Sequence, residues 1–543
     1  MVMHLREFHV LFSVTSMARQ HETPRSRRSL LKAAGGLFAS LSGTGARLSL
    51  LGWGPARAAN GPSRIREVLL DLNHIHKWDD SNGDTWDPFW ADDDNLYAFH
   101  CDGRGFGTAR RNLGFNRLSG DSPWNLTGTT VNSMDDYGTA GKKEADNATW
   151  KACGQECIDS VFYAFVSRNA YGKDSGDYWL RQTAFNCSLI KSTDKGRRWT
   201  RDAAENYKHP MWPGPAFGAP FFVHYGKNGG GMDRDGANRY VYAVSTNGFW
   251  NDGDQYIIGR ILRAKLANLN AADWEYFLGG DGNGPSRWSA KIERAEPILS
   301  VPVRCGQGPP CYIPALSVYL MVVWHNTERM TKWFEPNEMR YDFYQAEHPW
   351  GPWRPIDSFS DRFLGRGHMY GPSLCAKFQQ PQGEDVQVVM FSSGCPFQDV
   401  PSGLYKAWAI PVILKTGPPV PSALVPNGDN RVVYTGNWTA SSDGRLLGPV
   451  HLAAAANDAA ELAFNGTGIE YIADRDTGFG SVDVFLDGAL SESISLAVEN
   501  FPRLCGVSVF RAESLKKGAH TIRIVNKGAA TVIVDAFRVF GGD

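Results

Sequence analysis

Along most of its length the chain is a succession of short apolar runs, each closed by Gly, Asn or Asp. Residues 86–91 are answered by 96–99, residues 220–224 by 240–244 and residues 373–378 by 386–391, while 161–166 and 312–324 repeat the same texture. Runs this short, bounded by turn formers, predict buried strands rather than helices. In each unit an apolar strand enters, turns, and a second strand returns to end in small polar residues. The units start near Asp84, Asp159, Phe217, Pro310 and Gly371, about 60 to 90 residues apart, a spacing that suits propeller blades with decorated loops. Five such units predict a five-bladed β-propeller over 60–415. No long amphipathic helical period interrupts them, which argues against a parallel α/β layout.

A different texture begins after a proline-rich seam. Pro418, Pro419, Pro421 and Pro426 stiffen residues 416–428 and remove backbone donors, which predicts a linker. Beyond it, period-two alternation sets Ile469, Tyr471 and Ala473 against Glu470, Ile472 and Asp474. Val482, Val484 and Leu486 likewise alternate with Asp483, Phe485 and Asp487. Residues 429–543 are therefore expected to form a β-sandwich, and the whole chain is expected to be all-β.

The N-terminus reads as an address. Ser26-Arg27-Arg28-Ser29-Leu30-Leu31-Lys32 runs into a mild apolar stretch over 33–53, and Ala56-Arg57-Ala58 follows as a small-x-small cleavage site. This is the layout of a twin-arginine signal over 1–59, which predicts a periplasmic or extracellular protein. Composition narrows the partners. The 56 basic and 57 acidic side chains leave a net charge of −1 over 543 residues, so no field draws in nucleic acid. No later segment has the ~20 uninterrupted apolar residues of a membrane span, so no membrane partner is expected after signal cleavage. Of nine cysteines, Cys153 with Cys157 and Cys305 with Cys311 are close enough for local disulfides in an oxidising compartment, and neither pair has histidines at metal-ligand spacing.

Several motifs resemble known families. Gly83-Asp84-Thr85-Trp86, Trp90-Ala91-Asp92-Asp93 and Asp102-Gly103-Arg104-Gly105-Phe106-Gly107 resemble the opening blade of a family of secreted bacterial propellers related to endo-D-arabinanases. Phe217-Gly218-Ala219-Pro220, Trp274-Glu275-Tyr276-Phe277 and Pro349-Trp350-Gly351-Pro352-Trp353 extend that resemblance over roughly 64–412. Ser192-Thr193-Asp194-Lys195-Gly196-Arg197-Arg198-Trp199 resembles the Asp-box turn of sialidase-like propellers, a structural rather than catalytic element. Tyr434-Thr435-Gly436-Asn437-Trp438, Phe485-Leu486-Asp487-Gly488 and Val534-Asp535-Ala536-Phe537 resemble a galactose-binding-like jelly roll of the kind appended to glycan-active enzymes. The resemblance specifies fold better than reaction, because propellers host hydrolases, lyases and binders alike.

In a propeller, the start of each inner strand and the exit of each second strand share one face around the channel. In this chain those positions are acidic: Asp84, Asp87 and Asp102, then Asp174 and Asp177, Asp252 and Asp254, Glu328, Glu335 and Glu338, and Asp399. Glycoside hydrolysis needs two carboxyl groups of unequal proton affinity, one to protonate the leaving oxygen and one to attack or to activate water. Asp84 is the candidate base or nucleophile, Asp102 the neighbour that tunes it or binds substrate, and Glu338, with Glu335 in reserve, the candidate acid. Trp86, Trp250, Tyr256, Trp333 and Tyr370 offer flat rings for stacking on sugars, whereas Trp90 and Trp199 suit the blade core. Asp87, Asp254, Arg304, His325, His368 and Arg340 could orient hydroxyls or a carboxylate.

The expected activity is hydrolysis of a polysaccharide such as arabinan, with an oligo- or polysaccharide as the partner. A polysaccharide lyase built on His325, His368, Tyr370 and Arg304 and a non-catalytic glycan-binding propeller remain open alternatives. No phosphate loop, His-Glu-x-x-His helix or nucleophile elbow is present, and Asp233-Arg234-Asp235-Gly236 lacks the remaining ligands of a calcium loop. No cofactor is required, although converging channel carboxylates would accommodate a calcium ion.

Overall fold

The computed structural model describes residues 64–542 except 172–180, 231–234, 281–285, 328–337, 366, 396–402 and 443–446. The signal expected over 1–59 lies outside the described residues, as do Asp174, Asp177, Glu328, Trp333, Glu335 and Asp399.

Five antiparallel sheets follow one another in chain order as the blades of a propeller. Blade 1 runs from Asn82–Asp84 and Phe89–Trp90 through Leu96–Gly105 and Arg111–Ser119 to Thr127–Asn132. Blade 2 is Thr149–Ile158, Val161–Ala170 and Thr183–Ser192. Blade 3 begins at Pro220–Phe222 and continues through Tyr240–Thr246 and Gly253–Leu262 to Trp274–Phe277. Blade 4 is Cys311–Ile313, Val318–Asn326, Met339–Ala346 and Arg354–Ser360. Blade 5 is His368–Gln382, Asp385–Cys395 and Trp408–Lys415. The N-terminal strand Glu67–Leu70 supplies its outer edge, with Glu67 opposite Lys415, so the two ends of the propeller close the ring as a single sheet. The first strands of successive blades pack around a central axis.

Blade 2 starts ten residues earlier than the apolar pattern indicates. Asp159 and Ser160, at φ +52° and +65°, form the turn after the inner strand rather than its beginning. The inner strand itself, Thr149–Ile158, carries Lys151, Gln155 and Glu156, all buried. Polar side chains facing the axis erased the apolar signal there. The expected linker is also partly strand: Ser422–Pro426 pairs antiparallel with Ala536–Phe540. The prolines at 418, 419 and 421 precede that pairing and Pro426 ends it, the positions that an edge strand tolerates.

The C-terminal region is a β-sandwich. One sheet orders Ser422–Pro426, Ala536–Phe540, Gly468–Arg475 and Leu504–Ala512; the other orders Val432–Thr435, Ala459–Gly466, Gly518–Asn526, Ser481–Leu486 and Ala489–Ser495. Ile469 and Tyr471 from the first pack with Leu462, Val484 and Ile522 from the second in one apolar core, which continues into blades 4 and 5 through Trp324, Met390 and Trp408.

The turn at Ser192–Trp199 is held internally. Ser192 Oγ accepts from Gly196 N at 2.9 Å, Asp194 Oδ1 accepts from Arg198 N at 2.9 Å, and Trp199 packs edge-on against Phe115. The nine cysteines are all free and buried, which corrects the expectation of two local disulfides. Cys153 and Cys157 lie along one extended strand, Cys153 Sγ against Ser167 Oγ and Cys157 Sγ near Asn228 Oδ1; a strand advances about 3.3 Å per residue, too far over four residues for a bond. Cys305 and Cys311 point instead to the carbonyls of Val301 and Tyr312.

Candidate active site

Asp84 closes the first inner strand of blade 1 and pairs with Cys101 on the second strand. The next residue, Asp102, therefore comes alongside it. Asp102 sits at φ +50° with its carbonyl accepting from Arg110 Nη2 at 3.0 Å, a left-handed conformation that costs a non-glycine residue about 1 kcal/mol or more and concentrates at functional sites. The inner strand of blade 2 brings Lys151, whose Nζ donates to Asp102 Oδ2. Blade 5 supplies two phenols: Tyr370 Oη donates to Asp84 Oδ2 at 3.1 Å, and Tyr405 Oη donates to the same oxygen at 3.2 Å. Three blades thus assemble two carboxylates, one ammonium and two hydroxyls in one largely buried cluster.

Electrostatics set the two carboxylates apart. Burial raises the Asp84 carboxyl to about 6; Lys151 opposes the rise, Asp102 adds to it, and the two phenols offset part of it. Burial works to lower Lys151, but Asp102 foremost, with Asp84 behind it, holds the ammonium well above its usual range. Burial, followed by the nearby Asp84 charge, pushes Tyr370 and Tyr405 up, so both remain hydroxyl donors. Asp84 is accordingly a carboxyl able to hold a proton near neutrality, while Asp102 faces a fixed cation. Asp102 Oδ1 is buried without a partner.

One level down the channel, His224 Nε2 meets Asp87 Oδ1 at 3.0 Å and its Nδ1 meets Glu156 Oε2 at 2.8 Å, while Ser373 Oγ donates to Asp87. Burial works against the imidazolium, yet Asp87 and Glu156 together push His224 up to about 10. Asp87, expected to bind substrate, is thus buried and committed to His224 and Ser373.

The remaining sequence candidates scatter. Trp86 is 1% exposed, with its indole N–H on Gly83 O and its ring stacked on His100; it is a packing residue, not a stacking platform. Trp250 and Tyr256 are buried too. Glu338 is instead ion-paired with Arg340 of blade 4 and with Arg362 just after it. Asp254 accepts from Arg181, Asn247 and Val303 N. His325 is buried against Asp342, and His368 binds the buried Asp361 through Nδ1 at 2.9 Å. Arg304 lies near Tyr344. Among the described residues no group of three or more His, Cys, Asp or Glu side chains has metal-site geometry, and Lys151 is the cation that faces Asp84 and Asp102. Lys151 and Tyr405 were not singled out by sequence; their only signal was a polar residue inside a strand repeat and an aromatic just before one.

No sequence profile of a known protein family matches the chain. The A type blood α-D-galactosamine galactosaminidase of Flavonifractor plautii is 35% identical over 97 residues, covering 18% of this chain and 9% of that enzyme. The A type blood N-acetyl-α-D-galactosamine deacetylase of the same organism is 31% identical over 102 residues, 19% of this chain and 13% of its own. The chain thus spans about a tenth of either relative, and the two are named for different reactions. Among solved structures, exo-β-1,3-galactanase of Phanerochaete chrysosporium with β-1,3-galactotriose aligns at TM-score 0.36 and 10% identity over 87% of this chain and 99% of its own. A likeness at that level assigns no role to any side chain.

Proposed function

We propose that this protein is an exported glycoside hydrolase that cleaves a polysaccharide with the Asp84–Asp102 pair. The observation that carries the reading is the pair itself: two carboxyl groups side by side, one lifted to about 6 by burial and the other bound to a lysine. Asp84 donates its proton to the glycosidic oxygen as the C1–O bond breaks. The Asp102 carboxylate stabilises the positive charge that develops at C1, and water supplies the new C1–O bond while its proton returns to a carboxylate. These roles replace the sequence-based assignment, in which Asp84 is the base or nucleophile and Glu338 the acid. The twin-arginine signal supports export, and the propeller resemblance puts arabinan first among substrates, with galactosamine-containing glycans beside it because of the short curated likenesses.

The test is reducing-end release from arabinan, galactan, xylan and mannan by wild type, Asp84→Asn and Asp102→Asn. Each substitution is expected to lower kcat/KM on the active substrate by about a hundredfold or more. Activity that survives both substitutions, or an unsaturated product absorbing in the ultraviolet, would overturn the assignment.

A further inference from the structure

Gln307 precedes the inner strand of blade 4 and is 2% exposed. Its Oε1 accepts from the indole N–H of Trp324 at 3.3 Å. An indole can only donate, so this contact fixes which end of the amide is oxygen. The other end, Nε2, carries two donors and has no partner. A buried amide left in that state costs about 1–3 kcal/mol, and native proteins keep such groups mostly where a ligand or water completes them.

The position of that amide is what matters. Gly371 stands at φ +62°, and a Cβ built on it would lie 3.6 Å from Gln307 Oε1 and 3.7 Å from Thr85 Cα. Gln307 Oε1 and Thr85 Cα, on the residue that follows Asp84, therefore flank the same glycine, the one that follows Tyr370. The anchored amide of blade 4 and the Thr85 backbone of blade 1 thus meet at Gly371 of blade 5. Asp102 Oδ1, likewise buried without a partner, is an acceptor, so blades 1 and 4 each hold an unused polar atom, one acceptor and one donor.

We infer that Gln307 is a substrate-binding residue, its Nε2 donating to a hydroxyl or ring oxygen of the sugar held at Asp84. The ligand class is a neutral, hydroxyl-rich glycan: an amide donor and a carboxylate acceptor suit hydroxyl groups, whereas a uronic acid would meet two carboxylates with one lysine already engaged. The catalytic side of this inference rests on the hydrolase reading; the binding side does not. Trp324 is then a positioning residue that aims the amide.

The experiment pairs turnover with binding, using arabinan and neutral galactan as probes and polygalacturonate as the acidic control. Gln307→Met keeps the shape and removes the donor; Trp324→Phe keeps the amide and removes its anchor. Calorimetry on Asp84→Asn, alone and combined with either change, reads affinity without cleavage. The expected result is binding of a neutral glycan only, weakened about 5- to 100-fold by Gln307→Met and less by Trp324→Phe, with KM rising more than kcat falls. Unchanged affinity and KM in Gln307→Met would overturn the inference while leaving the hydrolase reading intact. Gln307-dependent binding without any reducing-end release would overturn the hydrolase reading and leave this inference standing. Preference for polygalacturonate would overturn the ligand class.

Discussion

The proton on Asp84 links stability to activity at a single residue. Its carboxyl is lifted from 3.8 to about 6, burial first and the neighbouring Asp102 charge adding to it. A raised carboxyl favours the folded state while protonated, so that stability is complete below about 4 and is lost as the pH climbs through about 6. Asp84→Asn removes the ionisation, and its melting temperature is expected to match wild type near pH 4 and exceed it at pH 8. The gain corresponds to at most about 3 kcal/mol, and it accompanies loss of activity. If Asp84 acts as the acid, kcat/KM falls on the alkaline side through about the same pH. Lys151→Met removes the cation that opposes the rise, so that limb is expected to move to higher pH, read from the profile on whichever polysaccharide is cleaved. Asp84, Asp102 and Tyr370 were legible in sequence because they lie at strand starts and exits beside turn glycines. Lys151, Tyr405 and Gln307 were not, since their importance lies in which blade they face across the axis, and one chain carries no record of that.

Inner strands are where the apolar pattern and the architecture part company. Blade 2 was placed too late because Lys151, Gln155 and Glu156 interrupt its apolar run, yet those polar groups are buried against the axis. The burial of Glu156 is tolerable because it finds a partner in the neighbouring blade: Glu156 in blade 2, His224 after the inner strand of blade 3, Asp87 in blade 1 and Ser373 in blade 5 form one hydrogen-bonded chain. His224 is pushed up to about 10, with burial opposing and Asp87 and Glu156 prevailing. A raised histidine stabilises in full below 6.5, and that contribution is lost as the pH climbs from about 6.5 to about 10. His224→Ala leaves two carboxylates facing each other without a cation, so thermal melts at pH 7 are expected to show a loss of about 3–5 kcal/mol. Above pH 10 the charge part of that loss disappears and the cost of the cavity and the lost imidazole hydrogen bond remains. The cysteines belong to this scale too. Adjacent in sequence, they are separated by the extension of a strand or turned toward backbone carbonyls, so thiol titration of the unfolded, unreduced chain should find all nine.

Across the whole molecule the propeller closes through its own N-terminus, and the sandwich seals that closure. Glu67–Leu70 pairs with Trp408–Lys415, and the sandwich grips both partners of that seam. Lys415 Nζ binds Glu513 at 2.7 Å, Asn73 Nδ2 donates to Ser508 O at 2.7 Å, and Arg475 Nη1 donates to Asn73 O at 3.0 Å. Phe501 meets the Trp408 ring edge-on, its centroid 6.1 Å away, and lies beneath Lys77 Nζ at 5.2 Å. The period-two pattern of the sandwich was legible because Glu470 and Asp474 mark the second face of Gly468–Arg475 as polar although it is buried, but nothing in that pattern indicates what covers Trp408. The shared apolar core implies that the two parts unfold together. Calorimetry of the full chain is therefore expected to show one transition, and Phe501→Ala to lower it by about 3–5 kcal/mol, the cost of truncating a buried aromatic. Two transitions, with only the weaker one moved by Phe501→Ala, would mean that the sandwich is an independent passenger. A single transition would instead make the sandwich part of the closure that holds blades 1 and 5, and with them Asp84 and Tyr370, in register.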